Sequence, residues 1–120
     1  MPEIKDKKYG KTVYYIDENE IKDKKHGTTL FYINGNEVRE KSKHGHVKFY
    51  FDKFEITRDS KHGKTHYHVE NNEVRDKKHG TVIYYVDGDE IKVKSKHGNV
   101  KYYIDGSLTG DQLMGLISII

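Results

Sequence analysis

Gly10, Gly27, Gly45, Gly63, Gly80 and Gly98 stand 17, 18, 18, 17 and 18 residues apart, and around them the chain repeats itself. A strict period of this length admits few architectures: one small supersecondary unit, copied and laid against its neighbours. Each glycine follows Lys-His except the first, which follows Lys8-Tyr9. Counting from the glycine, position four is aromatic in all six copies (Tyr14, Phe31, Phe49, Tyr67, Tyr84, Tyr102) and position six is aliphatic or Phe51. Position five carries Tyr15, Tyr32, Tyr50, His68, Tyr85 and Tyr103. Position ten is Glu and position eleven Ile or Val in five copies. The longer copies differ by one serine in the loop (Ser42, Ser60, Ser95), so the rest of the unit is geometrically fixed.

Within a unit the apolar spacing is two, and the residues are β-branched or aromatic, which predicts strands at positions two to six and ten to fourteen. Asn34-Gly35, Asp87-Gly88 and Asp105-Gly106 between them are hairpin-turn dipeptides. Two registers are open: a loop at positions eight and nine pairs six with eleven, and a loop at Asp-Gly itself pairs four with eleven. Either gathers positions four, six and eleven on one apolar face and puts the tyrosine row with Lys and Glu on the other. The expected fold is all-β: about eleven short strands of tandem β-hairpin repeats forming an elongated antiparallel meander, solenoid-like, on the order of 50 Å long. A single sheet with 33% hydrophobic and 34% charged residues buries little, so it must curl, stack or find a lid.

The lid is expected from the C-terminus. Residues 1–107 carry the repeats, and 108–120 break them with an apolar segment free of Lys and Arg. Thr109 and Gln112 have the spacing of a capping box, and Leu113, Leu116, Ile117 and Ile120 follow at helical spacing with Met114. This short helix is read first as an internal cap, and otherwise as a docking or dimerisation element. It is too short to span a bilayer, and its lack of basic residues argues against membrane attachment.

The stretch KKHGTTLFYINGNEVREKSKHGHVKFYFD resembles tandem MORN-variant repeats, with Lys-Lys-x-Gly, a Tyr-rich strand, Asn-Gly and a second strand. The resemblance runs from Lys8 to about Gly106, with shorter units than the family's and no tryptophan. It implies a single-layered sheet of stacked hairpins serving as a scaffold or interaction surface, with an antitoxin-like bacterial branch that holds a partner enzyme inactive.

Chemistry is thinly represented. There is no cysteine, which excludes disulfides, thiolate catalysis and Cys-based zinc sites. MPEIKDKKYG has no apolar run, so the expectation is a cytoplasmic protein. His26, His44, His62, His79 and His97 are read as turn residues beside a glycine of positive φ, forming a basic edge that gains charge below the ordinary imidazole pKa of about 6.5. His66 and His68 share a spacing that can chelate zinc or copper, but cationic neighbours argue against it, and neither metal nor cofactor is expected. Repeated Asp and Glu do not form the single cleft a catalyst needs, so no enzymatic activity is expected. Tyr15, Tyr32, Tyr50, Tyr85 and Tyr103 with interleaved lysines resemble a stacking platform for single-stranded nucleic acid, but a net charge of +3 disfavours that partner. The expected partner is another protein. Phe49, Phe51 and above all Phe54, which stands where neighbouring copies have Asn or Asp, are the candidate contacts. The alternative is a self-assembling structural protein that uses edge strands and the apolar tail.

Overall fold

The computed structural model describes residues 2–120 as twelve strands and one helix. In chain order the strands are β1 (Glu3–Lys5), β2 (Thr12–Asp17), β3 (Glu20–Lys22), β4 (Thr29–Asn34), β5 (Glu37–Glu40) and β6 (Val47–Phe51). They continue as β7 (Glu55–Arg58), β8 (Thr65–Glu70), β9 (Glu73–Arg75), β10 (Val82–Asp87), β11 (Glu90–Val93) and β12 (Val100–Asp105), followed by α1 (Gly110–Ile119). Every strand pairs antiparallel with its sequence neighbours, and β1 also pairs with β12, closing a barrel. The all-β expectation holds, but the elongated open meander is wrong: the ends meet, and the molecule measures 38 × 36 × 17 Å.

Two features close the ring. The first is a β-bulge in every second strand. Ile4 faces Tyr14 and Lys5 faces Thr12, leaving Val13 without a partner. Leu30, Lys48, His66, Ile83 and Lys101 are skipped in the same way at the same repeat position. Each bulge bends its strand and increases local twist, and six at one period curl the sheet progressively. The second is β1. Glu3-Ile4-Lys5-Asp6-Lys7-Lys8 is identical to Glu20-Ile21-Lys22-Asp23-Lys24-Lys25, so the N-terminus is half a repeat. That half-unit supplies the partner the sixth hairpin lacks, with Ile4 opposite Ile104.

The register is the one with loops at positions eight and nine: Ile16 faces Ile21, Ile33 faces Val38 and Val86 faces Ile91. Gly35 and Gly88 open their turns with φ of 62° and 60°, and Asn71 and Asn72 both take positive φ in theirs. All these turns gather at one end of the barrel, which we call the turn end. The glycine loops gather at the other, the loop end.

A barrel of about eight strands is filled by its own side chains, whereas twelve leave space at the centre. Here α1 occupies it. Thr109 caps the helix by accepting from the Gln112 amide, and the Gln112 side chain accepts from the Thr109 amide in return. Gln112 Nε2 also donates to the Glu18 carbonyl at the turn end, while the Tyr67 hydroxyl donates to the Ile120 carbonyl nearer the loop end. Leu116 and Ile117 are fully buried, in one core with Ile4, Ile16, Ile21, Val38, Ile56, Val74 and Ile91. Leu113, Met114 and Ile120 pack half-buried against the same core. Close approach is needed where α1 meets β4: a Cβ on Gly115 would lie 2.5 Å from Ile33 Cδ1. Among the described residues no helix is long and apolar enough to cross a membrane.

Candidate binding surface

The barrel has a wall and two rims, and repetition makes each nearly six-fold. On the wall the position-five side chains alternate with charges across strands. Tyr15 stands between Glu3 and Lys22, Tyr32 between Glu20 and Arg39, and Tyr85 between Glu73 and Lys92. The cations pair with carboxylates nearer the turn end: Lys92 Nζ with Asp87 at 2.9 Å, Arg39 with Glu37 at 2.6 Å, Arg75 with Glu73 at 2.8 Å and Lys5 with Asp105 at 3.2 Å. The Lys92 contact holds the Asp87 carboxyl below its ordinary range and the ammonium above its own. Tyr15, Tyr32, Tyr85 and Tyr103 are therefore hemmed between charged neighbours, Tyr50 stands between Glu37 and Thr57, and Tyr15 is buried.

The loop end is built by two kinds of loop. In the shorter kind an aspartate organises the turn: Asp23 Oδ1 accepts from the Thr28 amide and Asp76 Oδ1 from the Thr81 amide. There positive φ falls on the histidine, 63° at His26 and 66° at His79, and not on the glycine that follows. In the longer kind it falls on Lys41, Asp59 and Lys94, whose amides donate to the carbonyls of the bulge residues Leu30, Lys48 and Ile83. The expectation that glycine supplies the left-handed residue is thus corrected. The glycine is required because a Cβ there would collide with the loop's own start, such as the Glu40 carbonyl below Gly45.

These six loops, residues 6–11, 23–28, 41–46, 59–64, 76–81 and 94–99, hold thirteen lysines against four aspartates, a net of nine positive charges, with six histidines besides. Every one of those lysines and histidines is exposed. Tyr9 is 88% exposed and stands among them.

Phe49 and Phe51 turn inward: Phe51 is buried and Phe49 packs half-buried on the core. Phe54 is 40% exposed at the turn end, in a three-residue turn held by Asp52 Oδ1, which accepts from the Phe54 and Glu55 amides. Lys53 Nζ lies 5.2 Å from its ring centroid.

The two metal candidates part company. His66 is the bulge residue of β8. Its ring stacks 4.8 Å from Phe49, its Nδ1 accepts from Arg58 Nε at 3.2 Å, and burial followed by the Arg58 charge holds its pKa below the ordinary value. His68 is buried between Glu55 and Arg75 across strands, with Nε2 3.1 Å from Glu70 and no partner for Nδ1. Among the described residues no group of three or more His, Asp or Glu is placed to hold a metal ion. Charge segregation between the ends was missed at the sequence level, although its signal is plain: lysine-rich loops such as Lys77-Lys78-His79-Gly80 alternate along the chain with acidic turns such as Asp87-Gly88-Asp89-Glu90. Comparison with protein-family models, with curated proteins and with solved structures finds no match to this chain.

Proposed function

We propose that the chain is a non-enzymatic binding protein that docks an acidic protein surface on its basic rim. The observation that carries this reading is the ring of six exposed loops with nine net positive charges, presented on a closed and internally filled scaffold. Six similar loops at one end make a multivalent contact, in which modest single-charge attractions add. A nucleic-acid partner is less well served, because the rim lysines have one exposed aromatic neighbour, Tyr9, and the tyrosine row lies on the wall between ion pairs. An enzyme held inactive by this rim, as the MORN-variant resemblance suggests, is one form the partner can take. Self-assembly through edge strands or the apolar tail has little support, since the barrel closes and the tail packs inside it.

Titration calorimetry with poly-L-glutamate tests the reading. Binding is expected at about 20 mM salt and is expected to weaken steeply by about 300 mM, as contacts between exposed charges do. Replacing Lys8, Lys25, Lys43, Lys61, Lys78 and Lys96 together by Glu abolishes it. No heat with the wild-type chain at low salt refutes the proposal. Equal or tighter binding of a single-stranded oligonucleotide of matched charge would move the assignment to nucleic acid.

A further inference from the structure

The turn end is the electrostatic complement of the loop end. Fourteen of the nineteen acidic residues lie in its turns, at the strand ends beside them or, for Asp111, in the first turn of α1, and Lys53 is the one basic residue among them. Wall cations pair with part of this set, while Arg39, Arg75 and Lys92 also donate to the loop-end carbonyls of Gly45, Gly80 and Lys96. Glu18, Asp52, Asp89 and Asp111 remain exposed and in no ion pair among the described residues. The barrel is therefore polar along its axis, with a basic rim at one end and an acidic rim of the same circumference at the other.

We infer that a second copy of this chain is a partner for the basic rim: molecules stack head to tail, loop end against turn end. This inference rests on the reading of the basic rim as a docking surface and names one acidic protein that fits it. Two independent observations carry it. Complementary charge is the first. A stack joining like rims would bring nine net positive charges against nine, whereas head-to-tail stacking sets six lysine-rich loops against a ring of carboxylates. The second is apolar. The only two large hydrophobic side chains exposed among the described residues are Tyr9 and Phe54, one on each rim. Both break the repeat, Tyr9 replacing a histidine and Phe54 an asparagine or aspartate. An aromatic on each of two facing rims provides an apolar anchor within an otherwise charged contact, and it fixes how far one copy rotates on the next. Because the two surfaces differ and sit at opposite ends, the contact does not close on itself and the assembly is open-ended.

Sedimentation velocity on the intact chain tests this. At about 20 mM salt the expected result is a ladder of species that lengthens with concentration and collapses to monomer by about 300 mM. Phe54→Asn, which restores the residue type of the other turns, is expected to weaken association about tenfold or more while leaving poly-L-glutamate binding unchanged, since it lies on the opposite rim. The variant with six rim lysines changed to Glu is expected to be monomeric. Added to wild type it shortens the stacks, because its acidic rim still occupies a wild-type basic rim that then cannot extend. A monomer at low salt that nonetheless binds poly-L-glutamate overturns the stacking and leaves the basic-rim reading standing. Loss of both overturns both. Association that survives high salt, or persists in the six-lysine variant, assigns self-association to another surface and also overturns the stacking.

Discussion

Replacing Gly115 by alanine sets two effects of known sign against each other. In an exposed helix the change stabilises, by about 1 kcal/mol in propensity. Inside this barrel the new methyl would meet Ile33 Cδ1 at 2.5 Å and Cγ1 at 2.9 Å, with Ile21 Cδ1 behind at 3.9 Å. Ile33 is itself buried and cannot swing into solvent. Overpacking of this kind costs about 1–3 kcal/mol, so the net expectation is destabilisation of about 1 kcal/mol, or a Tm lower by roughly 4 °C for a chain of this size. Gly110 is the internal control: it begins the same helix, and a Cβ there meets nothing within 4 Å. Gly110→Ala is therefore expected to be neutral or stabilising. Urea unfolding of the two variants and the parent reads both values. Equal stabilisation by both changes would refute a helix packed against β4 and place α1 outside the core.

Ile4→Ala removes a fully buried side chain from the strand that closes the ring, and a loss of about 2–5 kcal/mol in urea unfolding is expected; a loss under 0.5 kcal/mol would mean that β1 is not part of the barrel. Gly45→Ala should destabilise although Gly45 lies in a surface loop, because its methyl would strike the Glu40 carbonyl, whereas Thr28→Ala, at an exposed site in a loop of the shorter kind whose bond to Asp23 is made by the backbone amide, should be near neutral by the same assay. His66 has a native pKa below 6.5, through burial and the nearby Arg58, so the unfolded chain binds the extra proton more readily. Its contribution to stability is full above about pH 6.5 and is lost as pH falls through the lower native value. The difference in stability between parent and His66→Gln should therefore shrink on acidification, and a difference that grows would reverse the assignment. Burial pushes the Tyr67 phenol up to about 12, so Tyr67→Phe should remove the latest step in an alkaline absorbance titration.

The apolar face was legible because strand alternation is local: positions four, six and eleven could be assigned without knowing the partner strands, and they form the core with α1. The capping box at Thr109 and Gln112 was legible for the same reason. Closure was not read because it depends on small terms summed around the ring. One skipped residue per hairpin, as at Val13 or Lys48, leaves the hydrophobic alternation nearly intact while bending the sheet. The half-repeat at Glu3 to Lys8 was available as a signal, since it duplicates Glu20 to Lys25, but its meaning lies in a pairing about a hundred residues away. The rims follow from closure. In an open meander the lysine loops and acidic turns line two long edges, and only a ring brings each set into one surface. Phe49, Phe51 and Phe54 show the same limit. Sequence grouped them as aromatics, and strand direction sent two inward and one to the turn end.

The most direct test of the basic-rim assignment is an amide proton–nitrogen NMR titration of the intact chain with poly-L-glutamate, followed at the glycines. Gly10, Gly27, Gly45, Gly63, Gly80 and Gly98 mark the loop end, and Gly35, Gly88 and Gly106 mark the turn end. Shifts in the first six with the last three still is the predicted result. Movement at Gly35, Gly88 and Gly106, with the loop glycines unmoved, would contradict the assignment of the basic rim as the binding surface.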